Sequence, residues 1–544
     1  MTDRAQNRRW RGLCLLGLGS LLVLAGCGPK NYKEDADKRV YDALERKWDP
    51  RFGTPANYRI RDVAPGPNDL HIENAVPASG LVTLPWALAL ATAHNRDYQT
   101  QKELLYTAAL DLRLVRHGYE TQLFGGGSVL YLRDGDDRAV QTEANIGFNR
   151  LLATGTQIST RIAIAWADVL AGTGRQGWTS IFGAAVTQPL LRGSDRRVVM
   201  ENLTLAERTT LYQIRTFNRF RKTFAVAVAT QYLQALESYG VARNTQDYLD
   251  ALTGLQSRAV KVVAVGLIPS LEVDQIQQNV LKARDSLVQA QKEYERSLDQ
   301  LKLTLALPIA SDFQLDVGLL NALRGQGLPR PEIVLNEAVD GALGGRLDVT
   351  NSADAVLDAQ RAVYVAADSL RADLRLKGSV DVNTRGDTSI SAGPTLDLPL
   401  DRVPEQHAYR KALIALEARR REYDLLADTV RLEVREAHRK LTETAERYQI
   451  LSAALTTAQA RDKRASALMQ YGQTSSRRVL DALDDLYEAR NAATEALIDY
   501  AVATLNFYRD TEALQVRPDG MWQEGPNIPV SSTRTMANIP AVAK

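Results

Sequence analysis

The side chains best suited to metal binding or covalent chemistry are His71, His94, His117, His407, His438, Cys14 and Cys27, and their spacing suits neither task. The histidines lie far apart, with no metal-ligand spacing. A mature chain without its leader holds one cysteine at most, so no intramolecular disulfide is expected. Gly125-Gly126-Gly127 reads as a turn or strand entry rather than as a phosphate cradle. No catalytic constellation, metal or cofactor is expected. The residues that could do physical work are charged. Arg477, Arg478, Asp481, Asp484 and Asp485 follow closely on Gly472. At helical spacing Asp481 and Asp485 share a face, and so do Arg477 and Asp481. One reading of these charges is a solvated helix face with intrahelical pairs.

Composition narrows the classes. The 544 residues carry 67 basic and 65 acidic side chains, interspersed, for a net charge of +2. That argues against a nucleic-acid footprint, which is a basic patch. The first 26 residues read as a signal peptide: Arg4, Arg8, Arg9 and Arg11 precede the apolar run Gly12 to Ala25, too short for an ordinary spanning helix. The run ends in Leu24-Ala25-Gly26-Cys27, similar to a bacterial lipobox, in which lipid is attached to the cysteine. Gly28 stands where an aspartate would favour inner-membrane retention. Cys27 is therefore expected to be lipidated and to anchor the chain to the outer membrane from its periplasmic side.

The charged cluster must be carried by something long. From Val403 to Met469 no proline interrupts after Pro404, and apolar residues recur at Leu416, Tyr423, Val430, Val434, Ala437, Leu441 and Tyr448. This predicts one helix of roughly 65 residues, about 100 Å, with a stripe for a neighbour. Tyr471 to Ser476 is a turn, and a second helix opens at Val479. Upstream, a long helix is expected from Asp195 to Val265, a break at Gly266 to Ser270, then a helix from Leu271 to Leu305. Between lie segments of period two: Val140, Thr142, Ala144, Ile146, Phe148 alternate with Gln141, Glu143, Asn145, Gly147, Asn149, and Ile158 to Trp166 does the same. Ser128 to Leu132 and Ser180 to Leu190 are also strand-like. A sandwich or a membrane barrel would both fit.

The order then recurs. A helix over Asn351 to Leu374, strands at Gly378 to Asn383 and Ser389 to Leu400, and the long helix pair repeat the earlier succession, which implies an internal duplication. The boundaries expected are a lipid-anchored extended segment over 27–80, a first repeat over 81–307 with a β region at 123–190, a connecting segment over 308–345, a second repeat over 346–512 and an irregular tail over 513–544.

In Leu84-Pro85-Trp86-Ala87-Leu88-Ala89-Leu90-Ala91 with Asn95, Gln188-Pro189-Leu190-Leu191, Leu398-Pro399-Leu400, Tyr471-Gly472 and Leu480-Asp481-Ala482, the chain resembles the outer membrane efflux protein (TolC) family over Leu81 to Glu512. The resemblance implies a mostly α fold with membrane β structure: a homotrimer sharing one outer-membrane β-barrel, above a hollow α-barrel of long helices. It implies a passive exit channel that works with a periplasmic adaptor and an inner-membrane efflux or ABC pump. The turns bearing Gly266, Leu267, Pro269, Gly472, Gln473 and Thr474 would meet the adaptor. Asp481 falls on a position that narrows the family's periplasmic mouth, while Arg478 departs from that acidic pattern. The family pattern needs two membrane strands in the first half, whereas four strand-like runs lie between Leu123 and Leu190. Either each strand is long and interrupted by a turn, or an extra hairpin rises above the membrane. A non-conducting coiled-coil tether is the rival function.

Overall fold

The structure is a computed structural model that describes residues 29–522, apart from 54, 71, 73–75, 78, 135–136, 172–176, 265–268, 327–333, 385, 399, 472 and 519. Cys27, Gly266, Leu267, Gly472 and the tail beyond 522 lie outside the described residues. In chain order the elements are α1 (Pro29–Lys47), β1 (Leu81–Val82), α2 (Leu84–His94), α3 (Arg96–His117), β2 (Gln122–Asp134), β3 (Asp137–Leu151), β4 (Gln157–Ala171) and β5 (Gly177–Pro189). There follow α4 (Arg196–Val199), α5 (Glu201–Ala264), α6 (Ser270–Thr304), β6 (Gln314–Leu315), α7 (Val317–Gln326), α8 (Leu335–Gly345) and α9 (Leu347–Asp368). The last are β7 (Asp373–Asn383), β8 (Thr388–Asp397), α10 (Val403–Gln470) and α11 (Ser476–Asp510).

Two helices set the dimensions. The 64 residues of α5 and the 68 of α10 give rods of about 96 and 102 Å. Each folds back through a tip turn onto a 35-residue partner, α6 or α11. The wall is ordered α6–α5–α11–α10, with α9 packed on both α5 and α10. Pro404 sits in the first turn of α10, where the Asp401 carboxylate accepts the Val403 N–H at 3.1 Å. The helix expected from Asp195 starts at Arg196 but breaks at Met200, because the Tyr119 hydroxyl donates to the Val199 carbonyl at 2.7 Å, at the last residue of the short α4.

The core is thickest around the middle of these rods. Val82, Leu88 and Leu90 meet Tyr98, Leu105, Ile214, Phe217, Tyr232, Leu301 and Leu497 in one buried cluster. Caps fix the pieces in it. Thr83 accepts from the Trp86 N–H to start α2, and Asn95 ends α2 while capping α3 through the Tyr98 N–H. The same Asn95 amide donates to the Thr304 carbonyl at the end of α6, at 2.8 Å. The fully buried Tyr232 hydroxyl donates to the Val82 carbonyl at 2.8 Å and accepts the Asp316 N–H at 3.1 Å. It thereby ties α5 to the short parallel pair β1–β6. Burial pushes this phenol up to about 12.

Four expectations are corrected. The segment 27–80, expected to be extended, is not so throughout: Pro29–Lys47 is helical, and its Val40, Tyr41 and Leu44 enter the main core beside Trp48 and Tyr58. Its polar composition masked a single apolar stripe of those three residues. The helix expected to run to Leu374 ends at Asp368, whose buried carboxylate accepts the Gly193 N–H at 2.7 Å. The residues beyond are drawn into pairing with the opposite segment, Leu190 N–H to the Leu374 carbonyl. Gly125-Gly126-Gly127 is neither turn nor strand entry but the middle of β2, paired with Ile146, Asn145 and Ala144. Finally, the four runs of the first half are four continuous strands of 13, 15, 15 and 13 residues. They are not two strands each interrupted by a turn. With β7 and β8 they form one antiparallel sheet in the order β2-β3-β4-β5-β7-β8.

Tyr232→Phe removes one hydroxyl and strands a buried carbonyl and a buried N–H. A loss of about 1–3 kcal/mol is expected, read as a lower unfolding midpoint in denaturant; an unchanged midpoint would show that the hydroxyl does not hold β1 and β6.

Candidate functional site

The two tip turns come to one end of the wall because an apolar cluster joins all four long helices there. Leu252, Leu255 and Ala259 of α5 meet Ile276, Val280 and Ala283 of α6 and Val479, Leu480 and Leu483 of α11, with Ala465 and Met469 of α10 against them. Pro269 is the N-cap residue of α6, and its carbonyl accepts the Glu272 N–H at 3.1 Å. On the other tip α10 closes when the N–H groups of Tyr471 and Gln473 both donate to the Leu468 carbonyl, at 3.2 and 2.9 Å. Gln473 is exposed and Thr474 half-buried, while Tyr471 is 77% exposed at the end of the helix. The described turn residues are therefore accessible at one extremity.

The five charged residues divide there. Asp484 accepts a hydrogen bond from the Tyr248 hydroxyl of α5. The Tyr248 ring lies parallel to Tyr487, with centroids 4.6 Å apart. Burial first, and then the Asp484 carboxylate, push the Tyr248 phenol well above its ordinary value. Asp485 pairs with Arg461 across the α10–α11 seam. Both aspartates are thus committed to joining helices. Arg477, Arg478 and Asp481 are exposed, and among the described residues none of their side chains has an ion-pair or hydrogen-bond partner. The Arg477–Asp481 pair that helical spacing allows is not formed. Arg478 instead lines a shallow groove with Arg461, Arg464, Leu468 and Thr474. Among the described residues no group of acidic, histidine or cysteine side chains could hold a metal.

Sequence reasoning missed the polar seam that runs from this end toward the middle. Asn244 and Asn491 bond at 2.9 Å, and Arg490 reaches Asp247 at 3.5 Å. Farther along, Arg447 of α10 bonds both Glu495, at 3.0 Å, and Asp499, at 3.1 Å, on α11. Facing them on α5 is Glu237, pushed up to about 7 by burial and then by the charges of Asp499 and Glu495. Its partners are some 250 positions away in the chain, so no local spacing announces it.

Glu237 makes a pH-dependent contribution. Its folded pKa lies above the ordinary glutamate value, so the folded state prefers it protonated. That preference is fully present below pH 4.5 and is lost as pH rises through about 7. Glu237→Gln is expected to match the parent in thermal unfolding at pH 5 and to exceed it at pH 8. The gain should be on the order of 1 kcal/mol after solvent screening; a variant that is less stable at pH 8 would contradict the assignment.

No protein-family model and no curated protein matches the chain. Solved structures do. The open-state MtrE outer membrane channel of Neisseria gonorrhoeae aligns with a TM-score of 0.57 at 15% identity, covering 83% of this chain and 96% of that one. The CmeC outer membrane channel of Campylobacter jejuni gives 0.57 at 14% identity over 81% and 87%. The CusC structure gives 0.58 at 16% over 79% and 91%. At these identities the likeness is one of fold, and it bears out the resemblance to the TolC family at that level.

Proposed function

We propose that three copies of this chain form a passive exit channel in the outer membrane. An inner-membrane efflux or ABC pump would feed it through a periplasmic adaptor bound at the exposed tips. Lipidated Cys27 would hold each copy to the inner leaflet, and opening would be an iris-like movement of the helix tips. The observation that carries this reading is a sheet with one apolar face set at the far end of helices about 100 Å long. On one face stand Leu123, Val129, Ile146, Phe148, Ile162, Ile164, Phe182, Val186, Val380, Val382, Ile390 and Leu396. On the other stand Gln141, Glu143, Asn145, Ser159, Arg161, Lys377, Asp381, Ser389 and Ser391. Lipid on one side and water on the other is the condition that such alternation satisfies. A coiled-coil tether has no use for it. None of the described helices is long and apolar enough to cross a membrane.

Apolar stripes on the edges of the wall support the presence of further copies. On α10, Ile414, Leu425, Leu432, Ile450 and Leu468 fall on one line of the helix and are 54%, 68%, 53%, 68% and 43% exposed. On the opposite edge, α6 exposes Leu271, Leu281, Val288 and Leu303. Stripes of this length need a partner helix. The recurring order of strands between long helices supports descent by duplication, with the turns of both halves reaching the same end. The fold likeness to MtrE, CmeC and CusC supports the same function.

Two outcomes are expected. Leu432→Asn combined with Ile450→Asn should shift detergent-solubilised protein from trimer toward monomer by native mass measurement, with the helix signal in circular dichroism retained. Three copies of Asp481, each without an ion-pair partner, should draw cations to the mouth. Asp481→Asn should therefore lower cation selectivity and block by multivalent cations in planar bilayers, without abolishing conductance. Trimers that never conduct, the tip-charge variant included, would favour the tether.

A further inference from the structure

The sheet holds a feature that the channel reading does not require. The six strands run 13, 15, 15, 13, 11 and 10 residues, each long enough for a bilayer crossing. β3 and β4 are joined at the helix-side end by the turn around Gly155, which packs against Pro189 and Gly193, where β5 leaves for the helices. The other ends of β2 and β3 meet at Asp134 and Asp137. The added hairpin is therefore two more full crossings, hydrogen-bonded along β4 over fourteen residue pairs from Arg138 to Leu151.

Among the described residues the two outer strands have no partner on their outer edges: β2 is paired only with β3, and β8 only with β7. Both carry the apolar face to the edge, with Leu123 81%, Val129 71% and Ile390 72% exposed. In hydrocarbon an open edge leaves a row of unpaired N–H and C=O groups, so the sheet must close on something. Its stagger matches a barrel. The row through Gln122 crosses Asn149, Ser159, Ala185 and Ser379 and meets β8 at Ser391, six residues short of its end at Asp397. Six residues are roughly 20 Å along a strand, against roughly 24 Å across five strand spacings. The strands therefore tilt by roughly 40°, inside the range for membrane barrels. Strand number is even, so β8 of one copy and β2 of the next run antiparallel. The polar face is interrupted on β2 by Phe124, Leu130 and Leu132; the Phe124 ring lies over Gly147, leaving no room there for a Cβ.

We propose that β8 of each copy pairs with β2 of the next, so that three copies close an eighteen-stranded barrel, with six strands from each. This rests on the trimeric channel reading. The twelve strands that the family pattern implies would enclose a tube roughly 24 Å across between backbones; eighteen enclose roughly 36 Å. The extra width belongs to the membrane end alone, since no helix is added below. The duct widens outward, into the size class of strand barrels that leave an aqueous channel.

Disulfide cross-linking in the full-length chain tests the joint. Ser391→Cys on β8 is combined in turn with Gln122→Cys, Gly126→Cys or Ser128→Cys on β2, all on the polar face. Controls combine Ser391→Cys with Ser159→Cys or Ala165→Cys on β4. The expected result is a reductant-sensitive ladder ending at trimer for at least one β2 pair and none for β4. A ladder through β4 would put the β2–β3 hairpin outside the barrel and overturn the proposal. So would a ladder ending at another number, or no ladder in a chain that native mass shows to be trimeric. Electron cryomicroscopy of the same trimer should count eighteen strands end-on, and twelve would overturn it. A chain that is not trimeric by native mass overturns the channel reading itself, a separate result.

Discussion

Unpaired edges govern this chain at every level. A single copy is a strip: its sheet ends in two strands with free backbone groups, and its helical wall ends in two helices with apolar stripes. Neither kind of edge is stable alone, for different reasons. A strand edge in hydrocarbon loses hydrogen bonds, and a helix edge in water exposes hydrocarbon. Both defects lie on the lateral borders of the strip, so in the proposed trimer one rotation that repeats the strip would mend them together. The interior of each copy, by contrast, is held by ordinary means. Its apolar cluster at the equator is organised by polar anchors such as Asn95 and Tyr232, each with two partners.

The same constraint explains why the tip charges fall into two kinds. Asp484 and Asp485 act between helices of the same copy, through Tyr248 and Arg461. They fix the register of α5 against α11 and of α11 against α10. Asp481 and its neighbours Arg477 and Arg478 have no such duty, and they sit where the ends of neighbouring strips would converge. In the proposed channel, charge that is not consumed in holding a copy together would be free to act on what passes.

Much of this was legible in the residues, because long periodic helices and alternating strands declare themselves by local spacing. The end of α10 at Gln470 fell within a residue of expectation, since nothing between Pro404 and the tip breaks the pattern. What failed to show were features whose partners are distant. Helix α1 has three buried apolar residues in a polar stretch, and only the body of the protein makes sense of them. Asp368 ends α9 because Gly193 lies opposite, 175 positions away. The strand count was legible in outline, as four runs, but not their union with β7 and β8 in one sheet, because β5 meets β7 only through partners distant in the chain, such as Ile181 and Asn383. At the tip, sequence spacing grouped five charges, yet sorting them required knowing that Tyr248 and Arg461 face two of them.

Tyr232 has a mechanical consequence. Its hydroxyl pins α5 to the β1–β6 pair about 48 Å from the last residue of that helix, at 1.5 Å per residue. In the proposed iris-like opening, the helix below this point would act as a lever with Tyr232 as its fulcrum. A swing of about 5° about it carries Ala264 through roughly 4 Å, close to half the spacing of packed helix axes. Angular changes too small to disturb the equatorial packing thus become displacements at the tip comparable to the width of a side chain.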